Sequence, residues 1–228
     1  MNFYILDDTK DIQEYHVREH SQRNIQYKGK WCDAYEVDEI LGDTDECPLC
    51  GRPVSLRKWE EPRKMRLSNT RYPDRLSYWL TGSFVVSERF KDAYIHANMT
   101  GISSFSEITV VKVAHKKENS PPPPKYYYAE LVYSQSVRLD VKKSIAYGSK
   151  HDWSCPLCNP DGKTWDKVRH LALHTDKWDG TDIFKAYAVG ILCSERFYAF
   201  CLENAFTNIP WTLVEEYKWG AEYFFGKG

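Results

Sequence analysis

Two tetrads, Cys47-Pro48-Leu49-Cys50 and Cys155-Pro156-Leu157-Cys158, hold the residues best suited to chemistry in this 228-residue sequence. A Cys-x-x-Cys turn sets two thiolates at a separation matching two corners of a tetrahedral Zn²⁺ site. The Pro between them stiffens the turn. Gly51 follows the first tetrad and Asn159 the second; both residue types tolerate the left-handed backbone that turns N–H groups toward sulfur. One such knuckle is a weak signal. Two predict one structural zinc bound by Cys47, Cys50, Cys155 and Cys158, with no open position for water. Structural zinc supplies roughly 10–16 kcal/mol in peptides, against about 5–15 for the stability of a whole domain. The ion would hold the fold and do no chemistry.

Other arrangements of these residues fare worse. A local finger of Cys155, Cys158, His170 and His174 leaves Cys47 and Cys50 without partners. It also places Gly162 and Lys167 where such a finger packs an aromatic and a Leu. A thioredoxin-like pair needs a strand-to-helix junction, whereas Pro, Gly and Asp surround both tetrads as in turns. Cys193 and Cys201 fall on apolar positions and read as core.

Catalytic motifs are incomplete. Asp161-Gly162-Lys163-Thr164 ends like a phosphate-binding loop, but Leu157 stands where that loop needs Gly. His170 and His174 share a face if helical, yet their alternation with Leu171 and Leu173 suits a strand equally. Glu88-Arg89 and Glu195-Arg196 read as helix first turns, where an acid complements the dipole. No acid, base and nucleophile come together, so the chain is read as no enzyme.

The elements that carry these residues form a pattern. Phe84-Val85-Val86 reads as a buried strand, Ser87 as a helix cap, and Phe90, Ala93, Tyr94 and Ala97 as the apolar face of a helix over 87–100. Ser194-Glu195-Arg196-Phe197 repeats Ser87-Glu88-Arg89-Phe90 at an offset of 107, and the second knuckle repeats the first at 108. The chain is therefore read as α+β, with two similar strand–helix–strand units fused around one four-cysteine zinc site. The first unit spans 1–118 and the second 126–228, with a helix over 194–206. The proline run at 119–125 is a loop between them, and the whole forms one compact domain. Residues 1–30 show no convincing period.

Hydrophobic residues make up 42% and aromatics 15%, enough for a sizeable core. Lys and Arg number 31 against 32 Asp and Glu, a net charge of −1. No overall positive field draws in nucleic acid or an anionic membrane. No apolar run is long enough to span a bilayer, and acids stand where a secretory leader carries Lys or Arg. Paired knuckle cysteines fit a reducing compartment, so the expected location is the cytoplasm.

The two knuckles resemble those of the bacterial double-CXXCG motif proteins. Residues from Asp179-Gly180-Thr181-Asp182 through Ser194-Glu195-Arg196-Phe197 to Val214-Glu215-Glu216 are similar to the C-terminal segment of that family and of related toxin-immunity families. The resemblance implies an immunity protein of a polymorphic toxin system that binds and neutralises one cognate toxin. It does not extend to residues 1–45 or to the proline run. An acidic surface would then steer a basic toxin, and Asp33, Glu36, Asp38, Glu39, Asp43, Asp45 and Glu46 are the candidates. The alternative is a zinc-stabilised nucleic-acid-binding regulator. It is supported by the basic 52–75 stretch, with Trp59 and Tyr72 inside it and Trp79 beyond. A third reading is a metal-dependent hydrolase using His170 and His174.

Overall fold

The computed structural model describes residues 1–7, 34–36, 40–55, 57–76 and 84–220. The chain folds into two compact units, one of residues 1–28, 133–198 and 210–228, the other of 29–132 and 199–209. Among the described residues, mixed sheets and two α-helices make the fold α+β. Among the described residues no helix is long and apolar enough to cross a membrane.

In the first unit, strand β1 (Phe3–Leu6) lies inside a five-stranded sheet, between β15 (Trp211–Leu213) and β14 (Gly190–Ser194). Beyond β14 come β13 (Ile183–Ala186) and then β8 (Tyr133–Ser134), the latter parallel to β13. Phe3-Tyr4-Ile5-Leu6 is a four-residue apolar run with no period, which is why the sequence pattern misses a strand there. Phe3 and Ile5 are buried with Phe184, Leu192 and Val214. A three-stranded sheet joins β10 (Ile145–Lys150), β11 (Lys163–His170) and β16 (Trp219–Gly220). Short strands β9 (Arg138–Leu139) and β12 (Leu173–His174) form a separate pair.

The second unit is built on a six-stranded sheet. Its members are β2 (Ala34–Glu36), β3 (Lys64–Leu67), β4 (Arg75–Leu76), β5 (Phe84–Ser87), β6 (Ile102–Val113) and β7 (Tyr126–Leu131). They lie in the order β2-β3-β6-β7-β5-β4, with β3 parallel to β6 and the rest antiparallel. Tyr126, Tyr127 and Tyr128 are buried in β7. Pro121 to Pro124 form no regular element, as the proline run requires.

Helix α1 (Glu88–His96) starts where sequence places it, with the Ser87 hydroxyl accepting from the Phe90 N–H at 3.2 Å. It ends at His96, short of position 100, because Asn98 turns left-handed at φ 49°. Helix α2 (Glu195–Glu203) opens in the same way, Ser194 accepting from Phe197 at 3.2 Å, and also stops short of position 206.

Candidate metal centre

Each knuckle sits at the tip of a β-hairpin. Residues 40–55 and 57–60 belong to the first hairpin. The N–H groups of Gly42, Lys58, Glu60 and Val54 donate to the carbonyls of Lys58, Asp43, Ile40 and Asp45. At its tip Cys47 N–H donates to Arg52 O, and Gly51 N–H donates to Cys47 O at 2.8 Å. Gly51 takes φ 68°, the left-handed turn that glycine allows. The second knuckle closes the β10–β11 hairpin. Cys155 and Asn159 exchange N–H···O bonds of 2.9 and 3.0 Å. Asn159 does not adopt positive φ as its residue type suggested. Its side chain does the work: Oδ1 accepts from Lys163 N–H and Nδ2 donates to Trp153 O.

The four sulfur atoms of Cys47, Cys50, Cys155 and Cys158 all lie within 4.8 Å of one another. A ZnS₄ tetrahedron with bonds of about 2.3 Å has edges of roughly 3.8 Å, so small side-chain shifts would close the cluster on an ion. The donor set fits a soft, tetrahedral metal. Cys47 and Cys155 are buried, Cys158 half-buried and Cys50 exposed. These residues could hold a metal ion, and with four protein ligands no open coordination position would remain.

The histidines belong elsewhere. His170 Nδ1–H donates to Glu215 O at 3.0 Å, and His174 Nε2 lies 3.7 Å from Asp140 Oδ1. They stand on separate strands, β11 and β12, so the shared helix face is excluded. Cys193 and Cys201 are buried.

Of the acidic block, Asp33, Asp38 and Glu39 lie outside the described residues, as does the Glu36 side chain. Asp43 and Glu46 are exposed on the first strand of the knuckle hairpin. Asp45 is engaged across that hairpin, 2.8 Å from Lys58 Nζ, which also reaches Glu130 at 3.3 Å. Both acids push the Lys58 pKa up, the Asp45 hydrogen bond most. The abrupt change of sign from acidic to basic sequence is thus partly self-paired. The basic stretch also differs from expectation as a nucleic-acid surface. Trp59 is 1% exposed within the core, and Arg63 and Arg75 are buried. Tyr72 instead donates its hydroxyl to Pro121 O.

Sequence reasoning missed Asp74 and Asp182. Each receives the hydroxyl of a helix-capping serine, Ser87 at 2.9 Å and Ser194 at 3.3 Å. Each also binds the arginine two residues further on, Arg89 or Arg196. The recurring Glu-Arg pairs are therefore fold determinants, the arginine included.

An α+β fold carrying a four-cysteine cluster able to hold a metal defines the class. Within that class the chain belongs to the Imm11 immunity protein family, whose match spans residues 9–216. No curated protein matches it.

Proposed function

We propose that the chain is the immunity partner of a bacterial polymorphic toxin, acting in the cytoplasm by binding its cognate toxin and occluding it. The observation that carries this reading is the family match over residues 9–216. The metal would be zinc, one ion bound by both knuckles, with a structural role: four thiolates suit Zn²⁺ and leave it no catalytic position. On this reading the chain has no catalytic activity of its own. The matching Ser-capped helices and matching knuckles support two copies of one strand–helix–strand unit.

Toxin contact is assigned to the acidic block, Asp33, Glu36, Asp38, Glu39, Asp43, Asp45 and Glu46, because a basic toxin would be steered to it. The second reading, a zinc-stabilised nucleic-acid-binding regulator, loses support from the burial of Trp59 and Arg75. Co-expression with the toxin encoded by the neighbouring gene tests the first reading. Growth rescue by this chain, together with a stable complex of the two proteins, is the expected result. A salt-sensitive shift of mixed DNA or RNA without rescue would turn the assignment to the regulator.

A further inference from the structure

The proline run has a chemistry that neither the cysteines nor the acidic block uses. Residues 114–125 carry the chain back from the end of β6 to the start of β7. Pro121, Pro122, Pro123 and Pro124 stand in succession, and none of them has an N–H to donate. Among the described residues the one cis peptide bond is Glu61–Pro62, so the bonds of the run are trans. Each proline also restricts the residue before it, which leaves polyproline II as the conformation. That helix satisfies none of its own carbonyls.

The run is held at both ends and open between them. Ser120 N–H donates to Lys117 O and Lys117 N–H to Ser120 Oγ, both at 3.0 Å. The Tyr72 hydroxyl holds Pro121 O at 3.2 Å. At the far end Glu88 N–H, the first of α1, donates to Lys125 O at 2.9 Å. Among the described residues nothing donates to the carbonyls of Pro122, Pro123 and Pro124. Pro121 and Pro122 are exposed, Pro123 and Pro124 half-buried. A segment fixed in this way has little conformational freedom left to lose on binding.

Charge marks one end of the run. Lys116 and Lys117 are exposed and form no ion pair among the described residues. Glu118 is the acid beside them. Lys125, at the other end, already faces Glu107 at 3.9 Å.

We infer that Pro121 to Pro124 form a docking ridge for a partner protein with an aromatic-walled groove. The groove presents indole or phenol donors to the open carbonyls and carboxylates to Lys116 and Lys117. Each part of that description answers a feature of the ridge. An added strand is excluded, because four successive residues without N–H cannot carry a ladder. Proline rings pack on aromatic faces, which is how polyproline II is recognised. Tyr72 already makes such a bond within the chain, a ring hydroxyl gripping a proline carbonyl. Two lysines beside Glu118 are a thin electrostatic footprint for nucleic acid. The inference goes beyond the immunity reading and does not depend on the groove being the toxin's.

The test uses the full chain and three probes: an isolated WW domain, an isolated SH3 domain with carboxylates bordering its groove, and a single-stranded DNA oligonucleotide. Both domains read polyproline II through aromatic-lined grooves. In amide NMR titrations up to millimolar probe, at least one domain should bind and shift the signals of Ser120 and Lys125. A counterpart whose groove aromatics are replaced by alanine should not bind. Pro121→Ala/Pro122→Ala should weaken binding by about tenfold. Lys116→Glu/Lys117→Glu should weaken SH3 binding by about threefold at low salt, and less at high salt. Circular dichroism checks that both variants are folded, and the lysine variant leaves the run itself intact. Four results overturn the ridge as a site for an aromatic groove. They are binding by neither domain, binding that survives Pro121→Ala/Pro122→Ala, preference for the oligonucleotide, and self-association of the chain that the proline variant abolishes.

Discussion

The Asp74 carboxylate grips Arg89 in a two-pronged pair, Oδ1 to Nε at 2.9 Å and Oδ2 to Nη2 at 2.5 Å. The same carboxylate accepts from the Ser87 hydroxyl and from the Thr207 N–H and hydroxyl. One buried side chain thereby ties β4, the start of α1 and the 204–207 turn, since Arg89 also donates to Asn204 O. Asp182 does part of this for α2, holding Ser194 and Arg196. Asp74→Ala leaves the buried Ser87 hydroxyl and the half-buried Thr207 donors without their acceptor, releases Arg89, and should cost about 2–4 kcal/mol. Ser87→Ala, which loses the cap and one of the bonds to Asp74 but leaves Arg89 and Thr207 in place, should cost less, about 1 kcal/mol. Urea unfolding with an unchanged slope checks both. Equal midpoints for the two variants would mean that the carboxylate adds nothing beyond the cap.

The same carboxylate sets a pH dependence. Burial alone would raise the Asp74 pKa, but hydrogen bonds from Arg89, Thr207 and Ser87 outweigh it and hold it below the usual range. A depressed folded-state pKa means stability that is fully present above the unfolded value of about 3.9 and lost as pH falls through the folded value. Asp179, held by the Thr181 hydroxyl, is lowered too and acts in the same direction. The melting temperature of the wild type should fall steeply in acid. Asp74→Asn should start lower at pH 7 and converge on the wild type as the carboxylate protonates. A constant gap between them down to the most acidic pH reached would show that Asp74 keeps no lowered pKa.

How far these features can be read in sequence depends on how local their causes are. The cysteines announce themselves because metal ligation demands a residue type at a fixed spacing, and Ser87 does because a cap bonds three residues away. Asp74 stays hidden because its partners Arg89 and Thr207 are distant in sequence, and because Tyr-Pro-Asp-Arg and Gly-Thr-Asp-Ile share only the Asp. The hairpin carrying the first knuckle is masked by charge: acids on the outgoing arm face bases on the returning arm, as Asp45 does Lys58, and neither arm shows an apolar period. Trp59 looks like a base-stacking aromatic amid arginines, yet only the fold reveals that it is buried in a core, as are Arg63 and Arg75. The helix starts follow from sequence, while their ends depend on left-handed residues such as Asn98 that pattern does not mark.

Metal content is the most direct check on the cysteines. Elemental analysis of purified protein should find about one zinc per chain, and none in Cys47→Ser. Cys193→Ser and Cys201→Ser alter buried thiols outside the cluster and should leave the ion in place. Chelation should lower the melting temperature reversibly, with stability changing by about 1.4 kcal/mol for each tenfold change in free zinc above the dissociation constant. Two ions per chain would refute a shared site.

Asp43, Asp45 and Glu46 adjoin one another on the first knuckle hairpin, but their environments predict different outcomes on charge reversal. Asp43 and Glu46 are exposed, so Asp43→Lys/Glu46→Lys should leave the melting temperature unchanged and act on the partner instead. Association with a basic toxin should slow by about tenfold at low salt and become less salt-sensitive, with dissociation little affected. Asp45→Lys faces Lys58 across the hairpin, so it should lower stability as well, through like-charge repulsion beside a half-buried ammonium. Stopped-flow association across a salt series, alongside thermal melts, separates the two effects. If reversing Asp43 and Glu46 leaves the association rate and its salt dependence untouched, this acidic strand is a solvated flank of the knuckle and the toxin docks on another face.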